Sequence, residues 1–242
     1  MFASPVYRWA DRLLGTVFPP RCLLCLDPGQ RPGLDLCRDC EADLPRIEHA
    51  CPTCGAPVAD LVLSRCGACA SVPRAYDRVV AALAYRFPAD ALVRTLKYRG
   101  ELASGRVLGT LLARELRRRG HAGIEALVPV PLHRRREAQR GFNQALELAR
   151  VVGRELGLPI DADCCERHRD TPEQARLGAA ARGGNVRDAF RVRRRPPPRI
   201  AIVDDVLTTG STVEELARTL RSAGAARIEV WVAARAGHQR YR

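Results

Sequence analysis

The run IAIVDDVLTTGST, residues 200–212, constrains the fold of this chain more than any other segment. Its first four residues are apolar, which predicts a buried strand of a parallel sheet over 200–203. Ser211 and Thr212 can each cap a helix, because Glu214 and Glu215 follow three residues later and complete two overlapping capping boxes. The run therefore predicts a strand, a tight loop and a helix, as in open α/β sheets.

The predicted loop carries groups that bind anions. Gly210 permits close backbone approach or positive φ, and the hydroxyl side chains and helix N–H groups around it can donate to a phosphate. Asp204 and Asp205 would repel phosphate, so we expect them to accept hydrogen bonds from two sugar hydroxyls, with Mg²⁺ held nearby through water. At a strand end, this acid pair is expected to be exposed without ligand. An ordinary βα turn with solvated acids is the alternative.

This run resembles the phosphoribosyl-pyrophosphate signature of type I phosphoribosyltransferases. In that family the acid pair binds the ribose 2′- and 3′-hydroxyls, and the following loop binds the 5′-phosphate. The resemblance implies that Asp204 and Asp205 bind the ribose. It implies a phosphoribosyl-pyrophosphate loop formed by Val206, Leu207, Thr208, Thr209, Gly210, Ser211 and Thr212.

Eight of the ten cysteines form four C-x-x-C pairs before residue 70. Two such pairs supply the four thiolates of a closed, structural zinc site. Disulfides would fit a secreted mini-domain, and the sequence shows no secretion signal. Sequential pairing predicts two zinc ribbons, with interleaved pairing or a single occupied site as alternatives. Gly55 and Gly67 follow cysteines of the later pairs, where a turn can require positive φ. The predicted ligands are Cys22, Cys25, Cys37, Cys40, Cys51, Cys54, Cys66 and Cys69.

The chain changes character after the last cysteine pair, where strand and helix patterns begin to alternate. We predict an N-terminal helix over 1–20, a double zinc ribbon over 21–72, and over 73–242 a type I phosphoribosyltransferase-like domain with a parallel sheet flanked by helices. Cys164 and Cys165 stand apart and are expected to pack as small hydrophobic residues. The predicted strands are 79–85, 126–130, 200–203 and 228–233, and the predicted helices are 90–97, 102–119, 143–156 and 212–223.

The net charge of +13 indicates a polyanionic partner or phosphorylated ligands. Only one of the 40 lysine and arginine residues, Lys97, is a lysine, so a single arginine carries little information in this sequence. No segment is long and apolar enough to span a bilayer, and the N-terminus lacks the layout of a signal peptide. We therefore expect a cytoplasmic protein.

Three further segments are candidates to complete the site. Residues 129–144, PVPLHRRREAQRGFNQ, place guanidinium groups after a predicted strand, where they can bind pyrophosphate; a solvated basic loop is the alternative. The segment LKYRG carries Lys97, which can reach a phosphate. Residues 171–190 are long enough for an active-site lid or a surface excursion. The candidate side chains are Arg136, Arg140, Asn143 and Gln144, then Lys97, then Gln174, Arg182 and Asn185.

The chain resembles members of the ComF family in the order of its motifs. These are the cysteine pairs, LKYRG, R-x-x-x-RGFNQ, the polar loop and VDDVLTTGST. Members of the family are linked to natural competence, the uptake of single-stranded DNA into the bacterial cytoplasm. The resemblance implies Mg²⁺-dependent binding of phosphoribosyl pyrophosphate, single-stranded DNA as a partner, and competence proteins as possible further partners. It does not identify an acceptor substrate, because no purine, orotate or amidotransferase module is recognisable.

Two functions follow from these patterns. As a phosphoribosyltransferase, the chain would transfer phosphoribose to an unidentified acceptor, with Asp204, Asp205, Arg140 and Lys97 as the catalytic set. As a nucleic-acid-binding competence factor, it would use the same pocket for sugar-phosphate recognition and its arginines for the DNA backbone. A general base or an acceptor pocket would distinguish the two, and the sequence reveals neither.

Overall fold

The computed structural model describes residues 20–30, 34–58, 65–121, 123–170 and 187–237. The chain forms two units, Met1–Leu44 and Pro45–Arg242. The first four cysteine ligands lie in the first unit, and the other four lie in the same unit as the main sheet. The N-terminal helix predicted over 1–20 falls almost entirely outside the described residues. The predicted domain boundary near residue 72 stays a prediction.

Strands and helices alternate through most of the second unit. The described strands are β1 Arg78–Ala84, β2 Ala126–Pro129, β3 Cys165–Arg167, β4 Phe190–Val192, β5 Arg199–Leu207 and β6 Arg227–Arg235. The described helices are α1 Arg38–Ala42, α2 Gly67–Ser71, α3 Ala89–Arg99, α4 Leu102–Arg119, α5 Arg134–Arg140, α6 Gln144–Leu156 and α7 Ser211–Ser222.

The main sheet has four strands in the order β1, β6, β5, β2, and every neighbouring pair is parallel. Ile200, Ile202, Ile228 and Val230 are fully buried and form one core with Leu216 and other apolar residues of α7. Helix α4 packs along β1 and β6, and helix α6 packs along β2 and β5. The predicted parallel sheet flanked by helices is therefore confirmed.

Several boundaries differ from the predictions. Strand β5 continues four residues past Val203, to Leu207, and β6 ends at Arg235 rather than residue 233. Helix α4 has its predicted bounds, and α6 ends at Leu156, with Gly157 in the left-handed conformation as its C-cap. Helix α5 and the antiparallel pair β3–β4 were not predicted, because short elements carry little periodicity. No described helix has the length and apolarity needed to cross a membrane.

The two cysteine groups repeat one local structure. Cys22 N–H donates to the Asp27 carbonyl at 2.7 Å, and Cys51 N–H donates to the Ala56 carbonyl at 2.8 Å. A short helix follows in each copy, α1 or α2. Leu26 (φ 69°) and Gly55 (φ 67°) occupy the same left-handed position. Gly67 begins helix α2 and has no positive φ, so the prediction for that glycine was wrong, while that for Gly55 is confirmed.

Candidate functional site

The candidate site lies at the carboxyl edge of the main sheet, where β5 extends past β2. Strand β2 ends at Pro129, which is in register with Val203. Strand β5 continues to Leu207 and beyond Val203 pairs only with β6 among the described strands. Asp204 and the rest of β5 therefore have no strand partner on the β2 side among the described residues. Open parallel sheets bind ligands at this edge.

The acid pair is part of strand β5 and is less accessible than expected. Asp205 is 4% exposed and Asp204 is partly buried, so the prediction of an exposed pair was wrong. The strand is longer than its apolar run, which brings the acids into the sheet. Asp204 Oδ1 accepts from the Asp205 N–H at 2.9 Å, and Asp205 Oδ1 accepts from the Val206 N–H at 2.9 Å.

The second carboxylate oxygen of Asp205 has no hydrogen-bond partner among the described residues, although it is fully buried. A buried acceptor without a donor costs free energy, and native structures usually satisfy such atoms with protein, water or ligand. Oδ2 is therefore an acceptor that a ligand hydroxyl would satisfy.

Electrostatics also distinguish this pair. Burial raises the pKa of Asp204 well above its usual range, and the adjacent Asp205 charge raises it further. The Lys97 ammonium acts in the opposite direction and favours the ionised form. Two carboxylates at one partly desolvated edge attract hydrogen-bond donors and cations, so they suit sugar hydroxyls and a magnesium ion bound through water.

The loop after the acids is short because β5 runs to Leu207. Gly210 adopts φ 85° and ψ 0° and is the N-cap of α7, so positive φ, one of the two uses expected for this glycine, is the one present. The Thr209 and Ser211 hydroxyls are 2.9 Å apart. Thr208 is exposed and Thr212 partly buried. Helix α7 directs its first N–H groups toward this loop, an arrangement that favours a bound anion.

The predicted capping boxes are absent. Helix α7 begins at Ser211, one residue before the predicted start, its N-cap is Gly210, and no side chain caps it. The two acids make tertiary contacts instead. Glu214 Oε1 accepts from the Ala75 N–H at 2.9 Å, and Glu215 Oε1 accepts from the Asp188 N–H at 2.9 Å. These bonds attach α7 to the segments before β1 and β4.

Lys97 and Arg167 both interact electrostatically with Asp204. Lys97 of α3 lies within electrostatic range of Asp204, with its ammonium 5.8 Å from the Tyr98 ring centroid. Arg136 Nε lies 3.5 Å from Asp170 Oδ1. Arg167 was not predicted; it is 8% exposed, stacks over Phe190 at 5.7 Å, and lies near both Arg136 and Asp204. Burial, with the neighbouring Arg136 charge, lowers its pKa.

The other residues predicted from 129–144 are largely engaged within the fold. Arg140 donates to Gln144 Oε1 at 2.6 Å. Asn143 caps α6 through its Oδ1 and donates from Nδ2 to the Val130 carbonyl at 3.1 Å, so its amide connects the start of α6 to the residue after β2. The predicted loop residues Gln174, Arg182 and Asn185 lie outside the described residues.

Both cysteine groups have the geometry of a tetrahedral metal site. Within each group all four Sγ atoms lie within 4.8 Å of one another. The Cys25–Cys37 and Cys54–Cys66 Sγ distances are both 3.6 Å. Zinc–sulfur bonds of about 2.3 Å in a tetrahedron place sulfurs about 3.8 Å apart, whereas a disulfide needs about 2.05 Å. The groups are Cys22, Cys25, Cys37 and Cys40, and Cys51, Cys54, Cys66 and Cys69, so sequential pairing is the arrangement present.

Cys164 and Cys165 are buried and belong to the main core, as predicted. Burial raises the pKa of each thiol to about 12. Neither is therefore a reactive thiolate near neutral pH.

Comparisons with known proteins agree with this architecture. A double zinc ribbon domain model matches residues 13–70, and a phosphoribosyl transferase domain model matches residues 197–242. A Salmonella typhimurium protein named DNA utilization protein YhgH is 37% identical over 88% of this chain and 96% of its own length. Competence protein F of Haemophilus influenzae is 32% identical over 89% of this chain and 97% of its own. The chain belongs to the ComF family.

A more distant ComF relative is competence protein ComFC of Streptococcus pneumoniae, which is 25% identical over 78% of this chain and 83% of its own length. This chain combines a zinc-ribbon region and a phosphoribosyltransferase-like domain.

Proposed function

We propose that this ComF-family protein binds phosphoribosyl pyrophosphate with Mg²⁺ and acts in competence through the handling of single-stranded DNA. The observation that carries the first part is the buried Oδ2 of Asp205, which has no partner in the described part of the chain, together with the Gly210 loop at a helix N-terminus. One ligand that carries vicinal hydroxyls next to a phosphate would satisfy both features.

In this proposal each part of the site has a distinct role. Asp204 and Asp205 accept hydrogen bonds from the ribose hydroxyls, and Thr208 to Thr212 hold the 5′-phosphate. Mg²⁺ would neutralise pyrophosphate oxygens, and the donor set fits it because two carboxylates lie beside the loop hydroxyls. Lys97 and Arg136 stabilise the pyrophosphate charge, and Arg167 joins them as a candidate that the sequence did not reveal.

Support for the DNA-handling part comes from charge and from relatives. The net charge of +13 favours a polyanionic partner. Proteins similar over most of their length carry the names DNA utilization protein and competence protein. Zinc-binding thiolates require a reducing compartment, so we place this activity in the cytoplasm.

Calorimetric titration of phosphoribosyl pyrophosphate with Mg²⁺ into the parent protein and into an Asp204→Asn, Asp205→Asn double variant tests the site. Asn keeps the shape of each side chain but removes the charges that strengthen the hydrogen bonds to ribose. Charged hydrogen bonds contribute about 1.5–3 kcal/mol each, so affinity should fall by roughly ten- to a hundredfold per residue.

An Asp163→Asn variant is the matched control, because Asp163 is an exposed acid outside the site. Equal affinity of the double variant and the parent would refute the assignment of the acid pair. Release of pyrophosphate by the parent in the presence of a small nucleophile, with no affinity for DNA, would favour the alternative function of a small-molecule phosphoribosyltransferase.

A further inference from the structure

Arg235, the last residue of β6, connects the second cysteine group to the loop of the candidate site. Its side chain is 2% exposed. Nε donates to the Cys54 carbonyl at 2.9 Å. The Nη1 atom donates to the carbonyls of Leu207 at 2.9 Å and Thr208 at 2.6 Å, and also to that of Ala236. A planar guanidinium has donors in fixed directions, so it holds these carbonyls at a defined separation.

A second connection leaves the same cysteine group along the chain. Arg74 interacts with the Cys69 thiol. The next residue, Ala75, donates its N–H to Glu214 in the first turn of α7. Tyr76 is 3% exposed, and its hydroxyl lies beside Gly210, 3.6 Å from where a Cβ would be. The segment that follows the last cysteine ligand therefore contacts the N-terminus of α7 and the loop glycine.

The turn that carries Cys54 is also packed tightly against the sheet. The Pro52 carbonyl accepts from the Val79 N–H of β1 at 3.0 Å. A Cβ on Gly55 would lie 2.7 Å from Val79 Cγ1, so a side chain there has no room. This close seating means that a shift of the cysteine turn would be transmitted to Arg235 and the loop.

We propose that the metal at the second cysteine group, Cys51, Cys54, Cys66 and Cys69, positions the phosphate loop, and that Arg235 is the positioning residue that couples them. Four thiolates on one ion fix the turn whose carbonyl receives Nε, and structural zinc turns of this kind lose their fold without metal. Arg235 then holds Leu207 and Thr208 in the geometry that a phosphate requires. The effect on affinity rests on the proposed function, whereas the effect on loop order does not.

Paired cysteine variants test this coupling. Cys66 and Cys37 are each partly exposed and each lie at the N-cap of a short helix in the corresponding copy. Cys66→Ser removes the second metal, and Cys37→Ser, the matched control, removes the first. Hydrogen exchange is measured for the amides of residues 207–213 and, as an internal reference, for α6. Titrations with phosphoribosyl pyrophosphate and Mg²⁺ follow, and elemental analysis gives the zinc content.

We expect Cys66→Ser to accelerate exchange in 207–213 and to lower the affinity for phosphoribosyl pyrophosphate by about tenfold, within the usual range of coupling between sites. Cys37→Ser should match the parent in both measurements. Parent-like behaviour of Cys66→Ser, or an equal loss in both variants, would overturn the coupling. If the parent itself does not bind phosphoribosyl pyrophosphate, the proposed function fails, and the exchange measurement still decides this inference.

An Arg235→Lys variant tests the connection that Arg235 makes between the cysteine turn and the loop, while all eight cysteine ligands are retained. A lysine keeps the charge but presents one nitrogen, which cannot donate in the separate directions that the guanidinium serves. We expect the parent's zinc content, faster exchange in 207–213 and about tenfold weaker binding. This variant remains informative if Cys66→Ser fails to fold. Parent-like exchange in Arg235→Lys would show that Arg235 does not position the loop.

Discussion

Asp204 lowers the stability of the ligand-free protein toward unfolding at neutral pH. Burial and the adjacent Asp205 raise its pKa well above the usual range, so the native state holds a proton that the unfolded chain has already released. Stability therefore falls as the pH rises from the ordinary carboxyl range through the raised pKa of the native protein. A ligand that donates hydrogen bonds to this edge favours the ionised form and recovers part of that cost.

An Asp204→Asn variant should be more stable than the parent toward unfolding at neutral pH without ligand. Asn has no charge to desolvate, so the penalty that the parent incurs is removed. The difference should narrow as the pH is lowered through the raised pKa and vanish below about pH 4, where the carboxyl is protonated in both states. Denaturant unfolding at several pH values measures this. The exposed Asp163→Asn variant should show no such gain, and a destabilised Asp204→Asn protein would contradict the argument.

At the scale of elements, the contact between α4 and α6 depends on one glycine. A Cβ on Gly109 would lie 2.7 Å from Val151 Cβ and 2.9 Å from its Cγ1. These atoms adjoin the helix backbone and cannot rotate away, so the helices would have to separate. On the same helix, a Cβ on Gly105 would meet only the Leu96 side chain, at 3.2 Å from Cδ1.

Gly109→Ala should therefore destabilise the protein by up to about 2 kcal/mol. Overpacking costs about 1–3 kcal/mol, and the gain of about 1 kcal/mol in helix propensity offsets only part of it. Gly105→Ala on the same helix should be near neutral or stabilising, because the end of Leu96 can move. Urea unfolding of both variants gives the comparison. Equal effects would mean that α4 and α6 are not in close contact at Gly109.

The sequence predicted elements better than it predicted their ends. The parallel sheet and the bounds of helix α4 followed from periodicity and turn residues. The length of β5 did not, because pairing with β6 continues it through two acids that no propensity favours in a buried strand. The capping boxes failed for a similar reason, since Glu214 and Glu215 bond to distant backbone groups. Arg167 and Arg235 could not be identified because arginine is the default cation in this chain.

For the molecule as a whole, charge is the property that bears most directly on a DNA partner. An excess of 13 positive charges over 242 residues, with only 5% aromatic residues, favours contacts to the phosphate backbone over base stacking. Sequence preference should accordingly be weak.

We expect the protein to bind single-stranded oligonucleotides with an affinity that falls steeply with salt. The logarithm of the association constant should decrease with the logarithm of salt concentration by about 0.7 per phosphate neutralised. Fluorescence anisotropy with labelled oligonucleotides of two unrelated sequences at several salt concentrations measures both the slope and the preference. Binding that does not change with salt, or its absence at low salt, would argue against a role for the arginine-rich surface.

The two cysteine ribbons repeat one local structure, but a substitution in the turn would destabilise one more than the other. At the left-handed position one copy has Leu26, 66% exposed, and the other has Gly55, which faces Val79 with no room for a side chain. The second copy must bind its metal, hydrogen bond to strand β1 and accept the Arg235 hydrogen bond at the same time. Among related sequences, the second turn should accept few replacements and keep its glycine. The first turn should vary in sequence, so new contacts can evolve more easily in that copy.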